Sequence, residues 1–224
     1  MRVVAVFLLA LAVTAPALGA DGEPRKALTA KGQAIAKAVV LKRSDLSAGF
    51  VGHAATDDPL PKGARCDSVD ESDLTVTGDA SSPNFSRDTA GIAVGSSASV
   101  YRSRSESNAA WRRAGTAAAV RCFADLVRLT SPAPRKVRIV SAKRIPFPKV
   151  APNAIAYRVV ASVSVGSRTV KAYFDAILLR NGTVQSALVV TSVGRAVGLD
   201  QERALAGVVA TRMAKATASG GLVA

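Results

Sequence analysis

Apolar positions along this chain follow two rhythms, and the switch between them marks its elements. From Lys26 to Arg43 they recur at helical spacing, with Leu28, Ile35, Ala38 and Val39 on one face and Lys31 and Lys42 off it. Ser44 to Phe50 breaks that helix. Residues 51–72 read as a polar loop with Pro59 and Pro61 as breakers. Leu74 to Thr77 is a short strand and 78–90 a second loop. In 91–101, Ile92, Val94, Ala98 and Val100 alternate with small residues, which predicts a strand. Ser103 and Glu106 have capping-box spacing and open a long helix over 104–129. Trp111, Gly115, Ala118, Cys122 and Leu126 share one face of it, and Pro132 and Pro134 close the region.

From Lys136 the period becomes two. One strand covers 136–146, and three more follow with turn signals at Gly166-Ser167 and Asn181-Gly182. Two-residue turns there would fix the register. Val163 then faces Val170, Ala161 faces Ala172, Val159 faces Phe174, Tyr157 faces Ala176 and Ile155 faces Leu178. Across the second turn Phe174 faces Val189, Ala176 faces Ala187 and Val170 faces Val193. One face is apolar across all three strands, so a one-residue slip would be costly. The other face is mixed: Arg158 opposes Asp175, Val160 opposes Tyr173, and Ser162 opposes Lys171. It reads either as a half-solvated face or as the polar floor of a cleft. A last helix starts near Asp200, a candidate N-cap, and carries Leu205, Val208, Val209 and Met213 as its stripe.

These elements predict an α+β domain: an antiparallel sheet of about six strands packed by three helices. Residues 1–20 read as a secretory signal peptide, with Arg2, an apolar run Val3–Val13 and small-residue cleavage signals at Ala15-Pro16-Ala17 and Ala17-Leu18-Gly19. That run is shorter than the roughly 20 residues of a membrane span. The expected organisation is a signal at 1–20, one domain over 21–217 and a disordered tail at 218–224. The expected product is secreted or wall-associated, monomeric and not stably inserted in a membrane.

Charge changes the picture next. The formal net charge is +14, and residues 101–149 hold twelve Lys/Arg against two Asp/Glu. Such a segment meets anionic lipid or wall polymer, or is simply a solvated surface. Nucleic acid is disfavoured, because Trp111 and Phe123 are the only aromatics between residues 102 and 146.

Candidate chemistry is sparse. Two cysteines in an exported chain predict a Cys66–Cys122 disulfide, closing a loop of 56 positions. His53 is the lone histidine, so a Cys–His dyad is disfavoured. Asp67, Asp70, Glu71 and Asp73 cluster without the spacing of a calcium loop, and are read as solvated acids or as partners of the basic segment. Gly95-Ser96-Ser97-Ala98-Ser99 lacks the second glycine of a nucleophile elbow. No cofactor, metal or catalytic residue is expected. Trp111 reads as core.

The stretch WRRAGTAAAVRCFADLV and the meander AYRVVASV…RTVKAYFDAILLRNGTVQSALVV resemble secreted actinobacterial sensor-like domains. These are extracellular parts of receptor Ser/Thr kinases, or free exported proteins and lipoproteins. The resemblance implies a bent antiparallel sheet with helices and a ligand-binding cleft. The expectation is a non-enzymatic, ligand-binding or sensor-like domain of the bacterial envelope, its partner a small apolar ligand or an anionic envelope component. The candidate cleft residues are Arg158, Tyr173 and Asp175. The alternatives are a basic protein adhering to anionic wall polymer or lipid, and a hydrolase with an unrecognised site.

Overall fold

Helices cover both faces of one nine-stranded sheet. A computed structural model describes residues 22–54, 69–129, 136–165 and 168–219. The signal segment, Cys66, Asp67, the Gly166-Ser167 turn, Pro132 and Pro134 lie outside the described residues. The elements in chain order are β1 (Arg25–Lys26), α1 (Ala30–Val39), β2 (Val51–His53), β3 (Thr75–Ser81), β4 (Asn84–Arg87), β5 (Ile92–Tyr101), α2 (Arg104–Ala114), α3 (Ala117–Leu129), β6 (Lys136–Ile145), β7 (Asn153–Val165), β8 (Arg168–Asn181), β9 (Val184–Val193) and α4 (Leu199–Ser219). The sheet runs β1-β3-β5-β9-β8-β7-β6, with β4 also on β5 and β2 on β4. All pairings are antiparallel except the two-residue β1–β3 pair. The class is α+β, as read from the sequence, with more strands than six and four helices rather than three.

Two of the extra strands, β2 and β4, lie where loops were expected, and β1 takes in Lys26, the first residue of the expected helix. β2 and β4 are short, without enough alternation to register as periodic, and they form through tertiary pairing with each other and with β5. The first helix is shorter than 26–43. Lys26 is in β1, Thr29 caps the helix by accepting from the Gly32 N–H (3.0 Å), and Arg43–Asp45 forms a single 3₁₀ turn.

The helix expected over 104–129 is two. Gly115 terminates α2, and Thr116 starts α3 by accepting from the Ala119 N–H (3.1 Å). This break resets the phase of the stripe. The buried positions of α3 are Ala119, Val120, Phe123, Ala124 and Val127, whereas Cys122 and Leu126 are only partly buried. Ser103 accepts from the Glu106 N–H as predicted (3.2 Å), but the Glu106 carboxylate pairs with Arg102 instead of completing a box.

The β7–β8 register is the predicted one. The β8–β9 register is displaced by two residues: Asn181 pairs with Val184, Phe174 with Thr191, Ala176 with Val189 and Ala172 with Val193. A turn centred on Asn181-Gly182 would need positive φ at both residues. Only Gly182 has it (φ +61), so the loop is Gly182-Thr183, with glycine at the first central position as a II′ turn requires. A shift of two keeps every side chain on its expected face.

The apolar face packs as expected. Ile155, Tyr157, Val159, Ala161, Ala172, Phe174 and Ala176 meet Val120, Phe123, Ala124 and Val127 of α3. The second face is not half-solvated along its length. Ala156, Ile177, Leu179, Leu188 and Val190 lie there under α1 and α4, against Val39, Leu205, Val209 and Met213. The continuous apolar runs Ala176–Leu179 and Ala187–Val190 mark strands buried on both sides. α1 sits unusually close to the sheet. A Cβ on Gly32 would come within 2.1 Å of the Thr77 carbonyl oxygen, and one on Gly78 within 2.1 Å of the Gly32 carbonyl oxygen. At the other end of that layer, Arg212 of α4 donates to both carboxylate oxygens of Asp45 (2.6 and 2.7 Å) and to the Val40 carbonyl (2.9 Å).

Candidate functional site

The second face divides where α4 begins. Reading across the strands, one row is Lys143, Arg158, Asp175 and Val190; the next outward is Ser141, Val160, Tyr173 and Ser192; beyond it lie Arg138, Ser162 and Lys171. Arg158 donates from Nε and Nη2 to the two oxygens of Asp175 (2.6 and 2.8 Å), with Glu202 Oε1 of α4 at 3.4 Å. Asp175 is 1% exposed and Glu202 fully buried. The predicted cross-strand pair exists, but it is a buried bidentate pair under a helix rather than an exposed one. Removing Arg158 alone would leave the buried Asp175 carboxylate without its partner, at a cost on the order of 3–5 kcal/mol.

Glu202 was not singled out from the sequence. Its signal was its phase: it lies three residues before Leu205 and seven before Val209, on the buried stripe of α4. The helix itself starts at Leu199, so Asp200 occupies its first turn. Burial, then the hydrogen bond and charge of Asp175, push the Glu202 carboxyl up to about 8 against the opposing pull of Arg158. At neutral pH Glu202 therefore holds its proton. Its Oε2 has no donor to accept from, and a proton on that oxygen, shared with Asp175, satisfies it. The group is then one carboxylate, one carboxylic acid and one guanidinium, net neutral.

The next row outward is different. Tyr173 and Val160 are half-buried and lie outside the apolar cluster beneath α1 and α4. Here the helical cover stops. The predicted cleft residues are thus brought together, but in two roles. Arg158 and Asp175 are locked with Glu202, while Tyr173 faces the open end. Arg138, Lys143 and Lys171 are exposed around it. The Ser192 hydroxyl donates to the Arg195 carbonyl (2.8 Å), which brings exposed Arg195 beside the Tyr173 row.

Other singled-out residues lie elsewhere. His53 is on β2, its Nε2 3.3 Å from the Ser86 hydroxyl, at the edge of the sheet remote from β6. Of the acidic cluster, Asp73 takes a bidentate pair from Arg113 of α2 (2.6 and 2.8 Å), the Asp70 carbonyl accepts from the same guanidinium, and Glu71 is 4% exposed, accepting from the Tyr101 hydroxyl at 2.6 Å. Burial pushes Glu71 up to about 7, against the hydrogen bond from Tyr101. Of these acids, Asp73 pairs with the basic segment through Arg113, while the Glu71 carboxylate accepts from Tyr101. Trp111 is half-buried against the α3 layer with the Arg180 guanidinium carbon 5.8 Å from its ring centroid. Cys122 packs with Val69, three residues from Cys66 in sequence. No group of metal-ligating side chains occurs among the described residues, nor any helix long and apolar enough to cross a membrane.

No family model and no curated protein matches the chain. Among solved structures it is similar to the extracellular domain of PknH from Mycobacterium tuberculosis, at 11% identity and a TM-score of 0.47, over 88% of this chain and 99% of that one. It is also similar to a putative uncharacterized protein (Rv0999 ortholog) from Mycobacterium smegmatis, at 15% identity and a TM-score of 0.40, over 80% of this chain and 96% of that one.

Proposed function

We propose that this protein is an extracytoplasmic, non-enzymatic binding domain of sensor-like type, with the uncovered end of the second sheet face as its ligand surface. One observation carries the reading. The sheet is covered on both faces, yet β6 to β9 continue past the start of α4 and present Tyr173 and Val160 half-exposed on a rigid, hydrogen-bonded floor. Rigid elements hold a recognition surface better than loops do. The buried Arg158–Asp175–Glu202 group is neutral at pH 7 and anchors both the floor and the first turn of α4. The leader-like N-terminus and the resemblance read from the sequence support an extracytoplasmic position for such a domain. The paired acids act as ties between elements, which leaves recognition rather than catalysis to the open end.

The test is a ligand-observed NMR screen of envelope-derived compounds, run on the protein and on Tyr173→Ala. At least one compound is expected to bind the protein and to lose most of its affinity in the variant. A screen whose hits are all indifferent to Tyr173→Ala would overturn the placement of the site. Measurable turnover of a screened ester, amide or glycoside would overturn the non-enzymatic reading.

A further inference from the structure

We infer that the ligand of this surface is a linear polyanion carrying phosphate groups, bound along the open end of the second face by Arg138, Lys143, Lys171 and Arg195. The inference rests on the proposed binding surface and names its ligand class. All four side chains are exposed, and none has an acidic partner among the described residues. The acids nearest in the sheet register are Asp175 and, above it, Glu202; both are buried and held by Arg158. The surface therefore keeps four cations without an ion-pair partner around a tyrosine, with exposed Asp200 in the first turn of α4 as the acid nearest in sequence to Arg195.

Geometry selects a polymer over a small anion. Arg138 and Lys143 stand on β6, Lys171 on β8 and Arg195 just past β9. Four neighbouring strands span three gaps, about 14 Å, and the rows of Arg138 and Lys143 are about 13 Å apart along the strands. One phosphate cannot meet cations so spread, whereas a repeating polyanion places a separate charge at each. Ser141, Ser162 and the Tyr173 ring between them suit the hydroxylated or sugar spacers of such a chain. A membrane surface is less favoured, because interfacial docking uses protruding apolar anchors and Tyr173 is half-buried in the floor.

Binding is measured by fluorescence anisotropy with labelled long-chain inorganic polyphosphate across a salt series, using the intact secreted protein. The double variant Arg138→Gln/Lys171→Gln is expected to bind at least tenfold more weakly. It should also flatten the dependence of log K on log salt by about two, one for each lost contact. A control with the same charge change on the helical side, Arg112→Gln/Arg121→Gln, should bind within twofold of wild type. Unchanged melting temperatures in both variants separate binding from folding. Equal weakening by the two double variants would overturn the inference, since net charge alone would then explain binding. So would binding to phosphatidylglycerol vesicles with none to polyphosphate. If polyphosphate does not bind but a neutral compound binds in a Tyr173-dependent way, the polyanion inference fails and the binding-surface reading stands. If no ligand depends on Tyr173, Arg138 or Lys171, both fail.

Discussion

Glu202→Gln should stabilise this protein at neutral pH and remove a large part of its pH dependence. The Glu202 carboxyl is fully buried beneath the first turn of α4, facing Asp175 and Arg158 of the sheet. Burial and Asp175 push it up to about 8, from 4.5 in the unfolded chain. Below pH 4.5 both states hold the proton, and the folded state suffers no penalty. Above it the unfolded chain releases the proton while the folded protein retains it. Stability therefore falls as pH rises, by up to about 1.4 kcal/mol per pH unit, until the folded carboxyl also ionises. Between pH 5.5 and 7.5 the expected loss is on the order of 2–3 kcal/mol, or about 4–10 °C in melting temperature for a domain of this size. Glutamine keeps the shape and can donate to Asp175 as the protonated acid does, but it never ionises. Glu71, pushed up to about 7, acts in the same direction, so Glu202→Gln alone leaves a residual slope and Glu71→Gln/Glu202→Gln should be nearly flat. Asp45 is drawn up by burial but held below the usual carboxylate range by Arg212 and Lys42. It costs stability only as pH falls through about 4, below this window. Urea titrations followed by Trp111 fluorescence at half-unit steps from pH 5 to 8.5 measure all three proteins. Parallel profiles for wild type and Glu202→Gln would refute the buried-acid account. A wild-type stability that rises toward pH 8 would refute it more directly.

Two further outcomes are expected. Gly32→Ala should destabilise by about 2 kcal/mol or more despite the better helix propensity of alanine, because its Cβ would overlap the Thr77 carbonyl and α1 must move off the sheet; thermal melts decide, and a neutral or stabilising result would show that α1 packs less closely. The protein should show no reactive thiol when labelled in denaturant, and reduction should lower its stability by up to about 4 kcal/mol, the chain-entropy figure for a bridge closing a loop of this length; labelling at either cysteine would refute the Cys66–Cys122 bridge.

The meander was readable because β-hairpin register is local. The turn residues and period-two alternation specify the β7–β8 pairs, and Gly182 specifies the next turn to within two residues. The short strands were not readable, since β2 and β4 are three and four residues long; β2 exists only through its pairing with distant β4, and β4, though it makes a local hairpin with β5, is too short to show a period. The split of the long helix was half visible in Gly115-Thr116. An isolated glycine is tolerated within a helix, however, and it is Thr116 capping Ala119 that makes this one a boundary. Cover on the second face was visible in the unbroken apolar runs of β8 and β9, which an expectation of one wet face discounted. The Gly32–Gly78 contact joins residues 46 positions apart, and neither glycine carries a local signal for it.

The candidate surface shows why charge along the chain and charge in space differ. The block at 101–149 looked like the basic patch. Yet Arg102, Arg113 and Arg128 within it are paired with Glu106, Asp73 and Asp125, the first and last within a helical turn and the second tying α2 to the chain before β3. Arg138 and Lys143 come from that block, but Lys171 and Arg195 join them from β8 and the end of β9. What gathers them is register, which sets Arg138 across Ser162 from Lys171, and the position at which α4 starts, which buries Asp175 and Glu202 while leaving Tyr173 and Val160 half-exposed and Arg138 and Lys171 exposed. Moving the helix start one turn outward would cover Tyr173; moving it one turn inward would expose the acids and cancel much of the field. The electrostatic character of the open end is therefore set by the Arg158–Asp175–Glu202 anchor, three side chains that need never touch the ligand.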